Sequence, residues 1–295
     1  MPYTSLKDRT VISISGSDRK DFLQGIITND INLVTTNKSI YACLLTPQGK
    51  FLFDFFILEG PEQNFLLECD KEDCSGLIKR FKMYKLRSDI QIKEENYRVV
   101  AIFNEEYSEN LPMEEGQVKP LTDTGYVYRD PRLDQMGWRA LLINDYPLDY
   151  KEVLNKEYEY HRILHGVPKS RMDLIPNKST LLECNIDLLN GISWDKGCYI
   201  GQEVTARMKY RGLLKKRLYP ITSDQNTRLD PGADLFDENQ KRVGEVRSCA
   251  DNHAIALLRD ESINDDEVHT GKEYDCIRIN IKTPIWLKNR LDQRQ

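Results

Sequence analysis

The chain has 295 residues, of which 40% are hydrophobic and 30% are charged, and its formal net charge is −5 at pH 7. This composition excludes a disordered or fibrous chain and predicts a globular protein of about two domains. The acidic balance disfavours broad binding of nucleic acid, and no apolar run reaches the roughly 18–20 residues of a membrane span, so we expect no membrane partner.

The composition of residues 1–15 bears on the cellular location of the protein. Residues 1–15 contain neither the apolar core of a secretion signal nor the Arg-rich, acid-poor composition of a mitochondrial transit peptide. We therefore expect a bacterial, cytoplasmic protein, with the mitochondrial matrix as the less favoured location.

The cysteine pattern disfavours both a disulfide framework and a preformed metal centre. The chain has 7 cysteines, an odd number, and no Cys-x-x-Cys pair. The 4 histidines are not clustered with cysteines, so we predict no metal site. Most of the thiols are expected to be small, buried hydrophobic groups.

Hydrophobic periodicity predicts an α+β fold for the first two thirds of the chain, with mostly antiparallel hairpins. The predicted elements, in chain order, are a strand over Val11–Ser15, a helix over Asp18–Gln24 capped by Ser17, strands over Tyr41–Leu45 and Phe51–Leu58, a helix over Cys74–Leu86, strands over Ile90–Ile92, Val99–Phe103, Tyr126–Tyr128 and Gly137–Ile143, and a helix from Pro147 to Leu164.

After Gly212 the pattern changes to short strand-like runs separated by turn residues. These runs are Leu218–Ile221, Leu235–Phe236, Val243–Ser248, Ala254–Leu258 and Cys276–Ile281. The sequence therefore predicts a body over residues 1–212, made of two subdomains, followed by a small all-β module over residues 213–295.

The most specific stretch is Lys196-Gly-Cys-Tyr-Ile-Gly-Gln-Glu203. Its two glycines permit tight turns and close approach to a ligand, and a helix is predicted over Gln202–Lys209. Cys198 would then precede a helix N-terminus, where the helix dipole and the nearby Lys196 would both favour a thiolate. The alternative is a buried, structural cysteine in a glycine-rich turn.

This stretch resembles the signature of the YgfZ family, folate-binding proteins related to the T-protein (aminomethyltransferase) of the glycine cleavage system. Further segments match that family in order along the chain: Phe22–Asp30, Pro47–Asp54, Asp130–Arg132 with Gly137 and Arg139, Arg162–Pro168 and Val243–Ser248. The resemblance implies an α+β, T-protein-like folate-binding body with antiparallel sheets and a small C-terminal β-barrel.

The resemblance also implies a function. It is that of a tetrahydrofolate-binding accessory protein for the maturation or maintenance of iron–sulfur proteins, with Cys198 as reactive thiol and Lys196 beside it. The cofactor would be tetrahydrofolate or a one-carbon derivative, and the partners would be iron–sulfur client proteins or assembly factors. The residues expected to bind folate are Asn29, Asp54, Tyr199, Gln202, Glu203 and Arg207.

Two of these expectations have structural alternatives. Asp54 shares one face of an apolar strand with Leu52 and Phe56, so a desolvated carboxylate would need donors such as the N–H groups of a pterin. Otherwise it is an ordinary strand aspartate that reaches solvent or a backbone N–H. Asn29 follows an apolar helical stretch and is otherwise a polar loop or cap residue.

Other functions stay open at this point. T-proteins carry Asp-Asp where this chain has Phe53-Asp54, which disfavours the alternative of a folate-dependent aminomethyl or one-carbon transferase. A binding protein without chemistry is a further alternative. The basic cluster of residues 207–217 is a solvated linker, a site for the polyglutamate tail of a folate, or the RNA contact of a tRNA-modification accessory factor.

Overall fold

The computed structural model describes residues 1–104, 111–122, 125–143, 147–224, 227–263, 268–271 and 276–293. The chain divides into two units. The first unit comprises Met1–Tyr158 and Leu189–Gln202, and the second unit comprises Glu159–Leu188 and Glu203–Gln295. Residues 159–188 thus group with the C-terminal strands, whereas the sequence placed them in the body. The division at residue 212 stays a prediction.

The first unit is built mainly from strands. In chain order it contains β1 (Pro2–Ser5), β2 (Arg9–Ser15), α1 (Arg19–Ile26), β3 (Ile40–Leu45), β4 (Phe51–Glu59), β5 (Phe65–Asp70), α2 (Cys74–Lys85), β6 (Gln91–Glu95), β7 (Tyr97–Ile102), β8 (Val118–Thr122), β9 (Gly125–Arg129), β10 (Trp138–Ile143) and β11 (Lys151–Glu152).

These strands form two sheets. The five-stranded sheet has the order β3-β4-β5-β2-β6, and all its pairs are antiparallel. Ile12, Ile14, Phe55 and Ile57 of this sheet share one core with apolar residues of α1 and α2. Because side chains alternate along a strand, the opposite face of β4 carries Asp54 together with Leu52 and Phe56.

The six-stranded sheet has the order β11-β1-β7-β10-β9-β8. Its pairs are antiparallel except for β1 with β11, which run parallel. The two sheets meet where the ring of Phe56 on β4 lies 6.0 Å from that of Tyr128 on β9, measured between ring centroids.

The remaining elements are α3 (Asn155–Leu164), α4 (Gln202–Tyr210), β12 (Lys216–Ser223), β13 (Asp234–Phe236), β14 (Arg242–Ala250), β15 (His253–Arg259), β16 (Val268–Thr270), β17 (Ile277–Ile281) and α5 (Ile285–Asp292). In the second unit the strands form a closed barrel in the order β12-β15-β14-β13-β16-β17. The predicted α+β class, with antiparallel sheets and a small C-terminal β-barrel, is confirmed.

Two predicted helix starts are wrong. The helix predicted from Pro147 begins at Asn155, because the backbone before it pairs with β1: the Lys151 N–H donates to the Met1 carbonyl at 3.0 Å. Ser17 does not cap α1, which begins at Arg19. The Ser17 hydroxyl instead donates to the Asp89 carboxylate at 3.0 Å.

None of the helices in the described part of the chain is long and apolar enough to cross a membrane.

Candidate functional site

The loop that carries Cys198 is anchored by a buried lysine. The Lys196 ammonium donates hydrogen bonds to the backbone oxygens of Ile27 and Asn29, both at 2.8 Å. It also lies 5.3 Å from the centroid of the Tyr199 ring. Burial lowers the pKa of Lys196 to about 8, against the opposing charge of Asp30. Lys196 therefore fixes the loop to the end of α1, and its effect on the Cys198 thiol stays a prediction.

One of the two glycines of the loop is required by its backbone. Gly201 has a φ of +84°, and a Cβ there would lie 2.5 Å from the Thr46 carbonyl oxygen in the β3–β4 turn. Gly197 has open space at the Cβ position. Gly201 therefore packs against the β3–β4 turn, and the close approach to a ligand predicted for both glycines stays a prediction.

Cys198 is exposed to solvent. The alternative of a buried structural cysteine is therefore wrong for this residue. The expectation that most thiols are buried is confirmed by Cys43, Cys69, Cys74 and Cys184. Within the described ranges no three His, Cys, Asp or Glu side chains are grouped as metal ligands would be.

Asp54 is buried, with 5% of its surface exposed. The Tyr41 hydroxyl donates to its Oδ2 atom at 3.1 Å, whereas Oδ1 is buried and has no hydrogen-bond partner among the described residues. The alternative of a solvent-exposed strand aspartate is therefore wrong. A buried carboxylate oxygen without a donor is costly, which makes this position a candidate for ligand contact.

Tyr199 supplies a second buried polar atom of this kind. Its hydroxyl has no hydrogen-bond partner in the part of the chain that the structure describes. Burial raises the pKa of Tyr199, and Cys43 adds to the effect. Cys43 is paired with Asp54 across β3 and β4. The hydroxyl of Tyr199 and the carboxylate of Asp54 therefore belong to the same part of the first unit.

A buried charge cluster lies on the same face of the five-stranded sheet. The Glu68 carboxylate accepts from Arg9 Nε at 2.8 Å, from Arg139 Nε at 2.9 Å and from the Tyr128 hydroxyl. Burial disfavours ionisation of Glu68, but the charges of Arg139 and Arg9 outweigh it and lower its pKa to about 2.

A second buried pair completes this cluster. Arg132 donates to both oxygens of Asp130, at 3.0 and 2.8 Å. The guanidinium carbons of Arg132 and Arg139 lie 4.8 and 4.4 Å from the centroid of the Phe56 ring. We name Arg9, Glu68, Tyr128, Asp130, Arg132 and Arg139 the charge cluster.

The sequence did not identify the charge cluster as a site. In the sequence, Asp130, Arg132 and Arg139 stand out only as part of the match to the family. Glu68 carried no local signal except an acidic residue inside an apolar strand, which also describes Asp54.

Asn29 lines a cavity of about 330 Å³, and its own polar atoms are satisfied within the protein. Its amide nitrogen donates to the backbone oxygens of Tyr41 and Asn190, both at 2.8 Å, and its carbonyl accepts from the Asp30 N–H. The cavity is also lined by Leu33, Lys38, Ser39, Ile40, Tyr41, Glu115, Pro131, Asn190, Ile192, Ser193, Trp194 and Asp195. Asn29 thus shapes the wall of the cavity, and its contact with folate stays a prediction.

The other candidate residues lie on α4. Gln202, in the first unit, is half-buried, whereas Glu203 and Arg207, in the second unit, are exposed. Their contact with folate stays a prediction.

The basic cluster predicted over residues 207–217 is smaller than expected. Arg217 is 7% exposed and donates to the Leu182 carbonyl at 2.9 Å and to Asn185 Oδ1 at 3.0 Å. It also forms an ion pair with Asp187 at 3.4 Å. Arg217 is therefore a structural residue of the second unit rather than part of a solvated basic surface.

Comparison with known structures identifies the fold. The chain superposes on the glycine cleavage system aminomethyltransferase T from Bartonella henselae with a TM-score of 0.81, over 97% of this chain and 86% of that one, at 14% sequence identity. The predicted T-protein-like fold is confirmed. Residues 215–289 match the family model described as the CAF17 C-terminal beta-barrel domain.

Comparison with curated sequences finds relatives along nearly the whole chain. The mitochondrial iron–sulfur cluster assembly factor IBA57 of Mus musculus is 32% identical over 304 residues, which cover 95% of this chain and 84% of the relative. The Homo sapiens protein gives the same identity and coverage. The Neurospora crassa homologue is 36% identical over 74% of this chain and 52% of the relative. These matches confirm the resemblance to the YgfZ family.

The predicted bacterial, cytoplasmic location is wrong. The relatives from mouse, human and two fungi are all mitochondrial proteins, which points to the mitochondrion. The prediction rested on the composition of residues 1–15, most of which form the strands β1 and β2, and a strand's composition follows from its packing rather than from the location of the protein.

The fold, the barrel and the similarity along most of the sequence lead to one assignment. The chain belongs to the family of the iron–sulfur cluster assembly factor IBA57.

Proposed function

We propose that this protein assists the assembly of iron–sulfur clusters, binds a reduced folate in its first unit, and uses Cys198 as its reactive thiol. The names of its relatives support the first part of the proposal. The observation that carries the role of Cys198 is its exposure on a loop in which Lys196 makes buried hydrogen bonds and the backbone of Gly201 packs closely against the β3–β4 turn.

An anchored loop with an exposed thiol suits contact with a partner protein or a cluster. Lys196 and Gly201 hold the loop at both ends, so Cys198 loses little conformational freedom when it binds. A thiolate is a ligand that iron and iron–sulfur clusters prefer. In this proposal the cluster is cargo, and Cys198 is the group of this chain that touches it.

The residues of the first unit fit a folate. The unpartnered Asp54 oxygen is an acceptor for the N–H groups of a pterin ring, and the unpartnered Tyr199 hydroxyl is a donor for a ring nitrogen or carbonyl. The cavity beside Asn29 provides polar and aromatic walls. A bound tetrahydrofolate would supply a reduced ring that carries one-carbon groups.

The proposal is tested by replacing Cys198 in cells that depend on this protein. Cys198→Ser is expected to lower the activity of iron–sulfur enzymes to the level of the deletion strain, because serine has a far higher pKa and cannot supply a thiolate. Cys276→Ser is the matched control, since Cys276 is the other exposed cysteine. Normal enzyme activities in the Cys198→Ser strain would show that the thiol is not required.

Assays with the purified protein distinguish the alternatives. Turnover of methylene-tetrahydrofolate with an amine by the purified protein would assign it as a one-carbon transferase. Strongly salt-dependent RNA binding, lost on replacing Arg207 and Arg211, would support the tRNA-modification alternative.

A further inference from the structure

Helix α2 and the turn after it carry a strongly basic surface on an acidic protein. Residues 74–88 contain five cationic side chains and no acidic one, although the whole chain has a net charge of −5. The cations are Lys79, Arg80, Lys82, Lys85 and Arg87. Because the chain as a whole repels anions, attraction to an anionic surface requires a local patch of this kind.

The packing of α2 separates a buried face from an exposed one. Leu77 and Phe81 lie in the core that α1 and α2 form with the five-stranded sheet. Lys79 and Lys82 lie on the other side of the helix, and Arg87 follows the end of the helix. These three cations are exposed and form no ion pair with a residue that the structure describes. Their charges are therefore available to an anionic partner.

The turn that ends α2 displays an apolar side chain beside these cations. Leu86 has a φ of +47° and a ψ of −108°, close to the first central residue of a type II′ turn. The Ser88 N–H closes this turn on the Lys85 carbonyl at 2.8 Å. The Lys85 ammonium donates to the Ile90 carbonyl and so ties the turn to the start of β6. The turn thus fixes the position of Leu86.

Neither the backbone nor burial accounts for a leucine at this position. A positive φ favours glycine, because the side chain of any other residue is strained there. Leu86 is 87% exposed, so its side chain gains almost no burial in exchange for that strain. Met83, on the exposed side of α2, is 53% exposed. Two apolar side chains therefore project from the protein among exposed cations.

We name the residues that combine these properties the α2 surface. They are Lys79, Lys82, Met83, Leu86 and Arg87. A lipid bilayer accepts projecting apolar side chains without a matching pocket, and its anionic headgroups attract cations. An acidic protein or a nucleic acid matches the cations alone. The combination of charge with a projecting leucine therefore favours a lipid surface.

We propose that the α2 surface docks this protein on a bilayer that contains anionic phospholipids. Leu86 and Met83 enter the boundary between headgroups and acyl chains, and the three cations bind the phosphate groups. The expectation of no membrane partner rested on the lack of a spanning segment, and contact of this kind needs none.

The test is co-sedimentation of the full-length protein with vesicles. One set of vesicles contains phosphatidylcholine and phosphatidylglycerol in equal parts, and the other contains phosphatidylcholine alone. We expect binding to the anionic vesicles only, weakened by added salt because salt screens the headgroup charge. Each cation near an anionic bilayer raises the affinity roughly fivefold, so Lys79→Gln/Lys82→Gln/Arg87→Gln is expected to bind about a hundredfold more weakly.

The matched control for charge is Lys7→Gln/Lys151→Gln/Lys288→Gln. It removes the same number of charges from exposed lysines outside the α2 surface. This control variant is expected to bind the anionic vesicles nearly as tightly as the wild type does. Circular dichroism of both triple variants verifies that they are folded.

Leu86→Gly separates insertion into the bilayer from attraction by charge. Glycine adopts the backbone conformation of Leu86 without strain, so the variant should resist urea at least as well as the wild type. It should nevertheless bind the anionic vesicles roughly three- to tenfold more weakly, because the apolar side chain that enters the bilayer is lost. A stable variant with weaker binding cannot be explained by unfolding.

Three outcomes would overturn the proposal. The first is a wild-type protein that does not bind the anionic vesicles. The second is equal binding by the two triple variants. The third is equal binding by Leu86→Gly and the wild type, which would leave a purely cationic surface of the kind that suits an acidic protein or a nucleic acid. These measurements use neither folate nor Cys198, so this proposal and the proposed function fail separately.

Discussion

At the scale of single residues, the informative atoms are Asp54 Oδ1 and the Tyr199 hydroxyl oxygen, which are buried and have no hydrogen-bond partner among the described residues. Replacing Tyr199 by phenylalanine removes a buried hydroxyl that makes no hydrogen bond with the described residues. We expect Tyr199→Phe to leave the free energy of unfolding unchanged or to raise it by up to about 1 kcal/mol, while weakening tetrahydrofolate binding. Chemical denaturation and calorimetric titration measure the two effects.

Tyr41→Phe is the matched control, because the Tyr41 hydroxyl donates to Asp54. It should destabilise the free protein, since it takes away the donor of a buried carboxylate. A Tyr199→Phe variant that loses stability as Tyr41→Phe does would show that the Tyr199 hydroxyl is bonded in the protein itself.

Asp54→Asn tests the acceptor side of the same site. The substitution removes a charge at nearly constant shape, and loss of one charge-assisted hydrogen bond costs about 1.5–3 kcal/mol, or roughly ten- to a hundredfold in affinity. Titration with tetrahydrofolate measures the change, and Asp21→Asn, on the exposed side of α1, serves as control. Equal affinities of wild type and Asp54→Asn would contradict a folate contact at Asp54.

At the scale of elements, the loop after Lys196 depends on one glycine. We expect Gly201→Ala to destabilise the protein by roughly 1–3 kcal/mol, because its φ is +84° and the new Cβ would meet the Thr46 carbonyl at 2.5 Å. Gly197→Ala, which has open space, should change stability by no more than about 0.5 kcal/mol. Urea denaturation of the pair tests this, and equal effects would contradict the described loop backbone.

The contact between the two sheets of the first unit predicts a pH dependence. The pKa of Glu68 is lowered to about 2 from a usual 4.5, so its stabilising contribution is complete above about pH 4.5 and is lost as the pH falls toward 2. Glu68→Gln should remove this acid dependence and cost about 3–5 kcal/mol near neutral pH, since it leaves two arginines without a carboxylate. Thermal unfolding as a function of pH measures both effects.

Glu261→Gln is the control for that series, because Glu261 is exposed and its ion pairs are solvated. If the thermal stability of Glu68→Gln still falls steeply at acid pH, the pH dependence belongs to other carboxylates.

The elements that the sequence predicted well have a strong period or a clear turn. The apolar run Phe51–Leu58 and the turn signal Thr46–Gly49 predicted β3 and β4, and the spacing of Leu77 and Phe81 predicted α2. β11 was missed because Lys151–Glu152 is a strand only by pairing with β1, a contact that local sequence does not report.

Only part of the candidate site could be predicted, because local sequence does not report contacts between distant segments. Asp54 stood out as a carboxylate in an apolar strand, and Cys198 stood out in a glycine-rich motif. The charge cluster joins β2, β5, β9 and β10 with the turn after β9, and only the assembled sheets bring those segments together. Arg217 illustrates the converse error, since a run of basic residues says nothing about which of them faces Asp187.

At the scale of the whole molecule, the second unit includes residues from two parts of the chain. The Leu218 N–H donates to the Glu183 carbonyl at 2.9 Å, and the Arg162 guanidinium donates to Asp173, which also accepts from the Ser248 N–H at 3.0 Å. The barrel strands thus depend on residues 159–188 for buried hydrogen bonds.

We therefore expect the fragment 213–295, expressed alone, to lack a cooperative thermal transition, because Arg217 and Ser248 would lose their partners. Circular dichroism of the fragment tests this. The sequence also predicts that limited proteolysis of the intact protein cuts first at Asn264–Glu267, which lies outside the described residues, or after Gly212. A fragment that melts like the intact protein would show that the barrel folds without residues 159–188.

The charge cluster also limits how this sequence can change over time. Because Glu68 accepts from both Arg9 and Arg139, replacing Glu68 leaves two guanidinium groups without their carboxylate, whereas replacing either arginine leaves Glu68 with one ion pair. Descendants that lose the cluster would have to substitute several positions together, or pass through an unstable intermediate. Related chains are accordingly expected to keep the three residues as a set or to replace the set with apolar side chains, and combinatorial libraries at these positions should show strong epistasis.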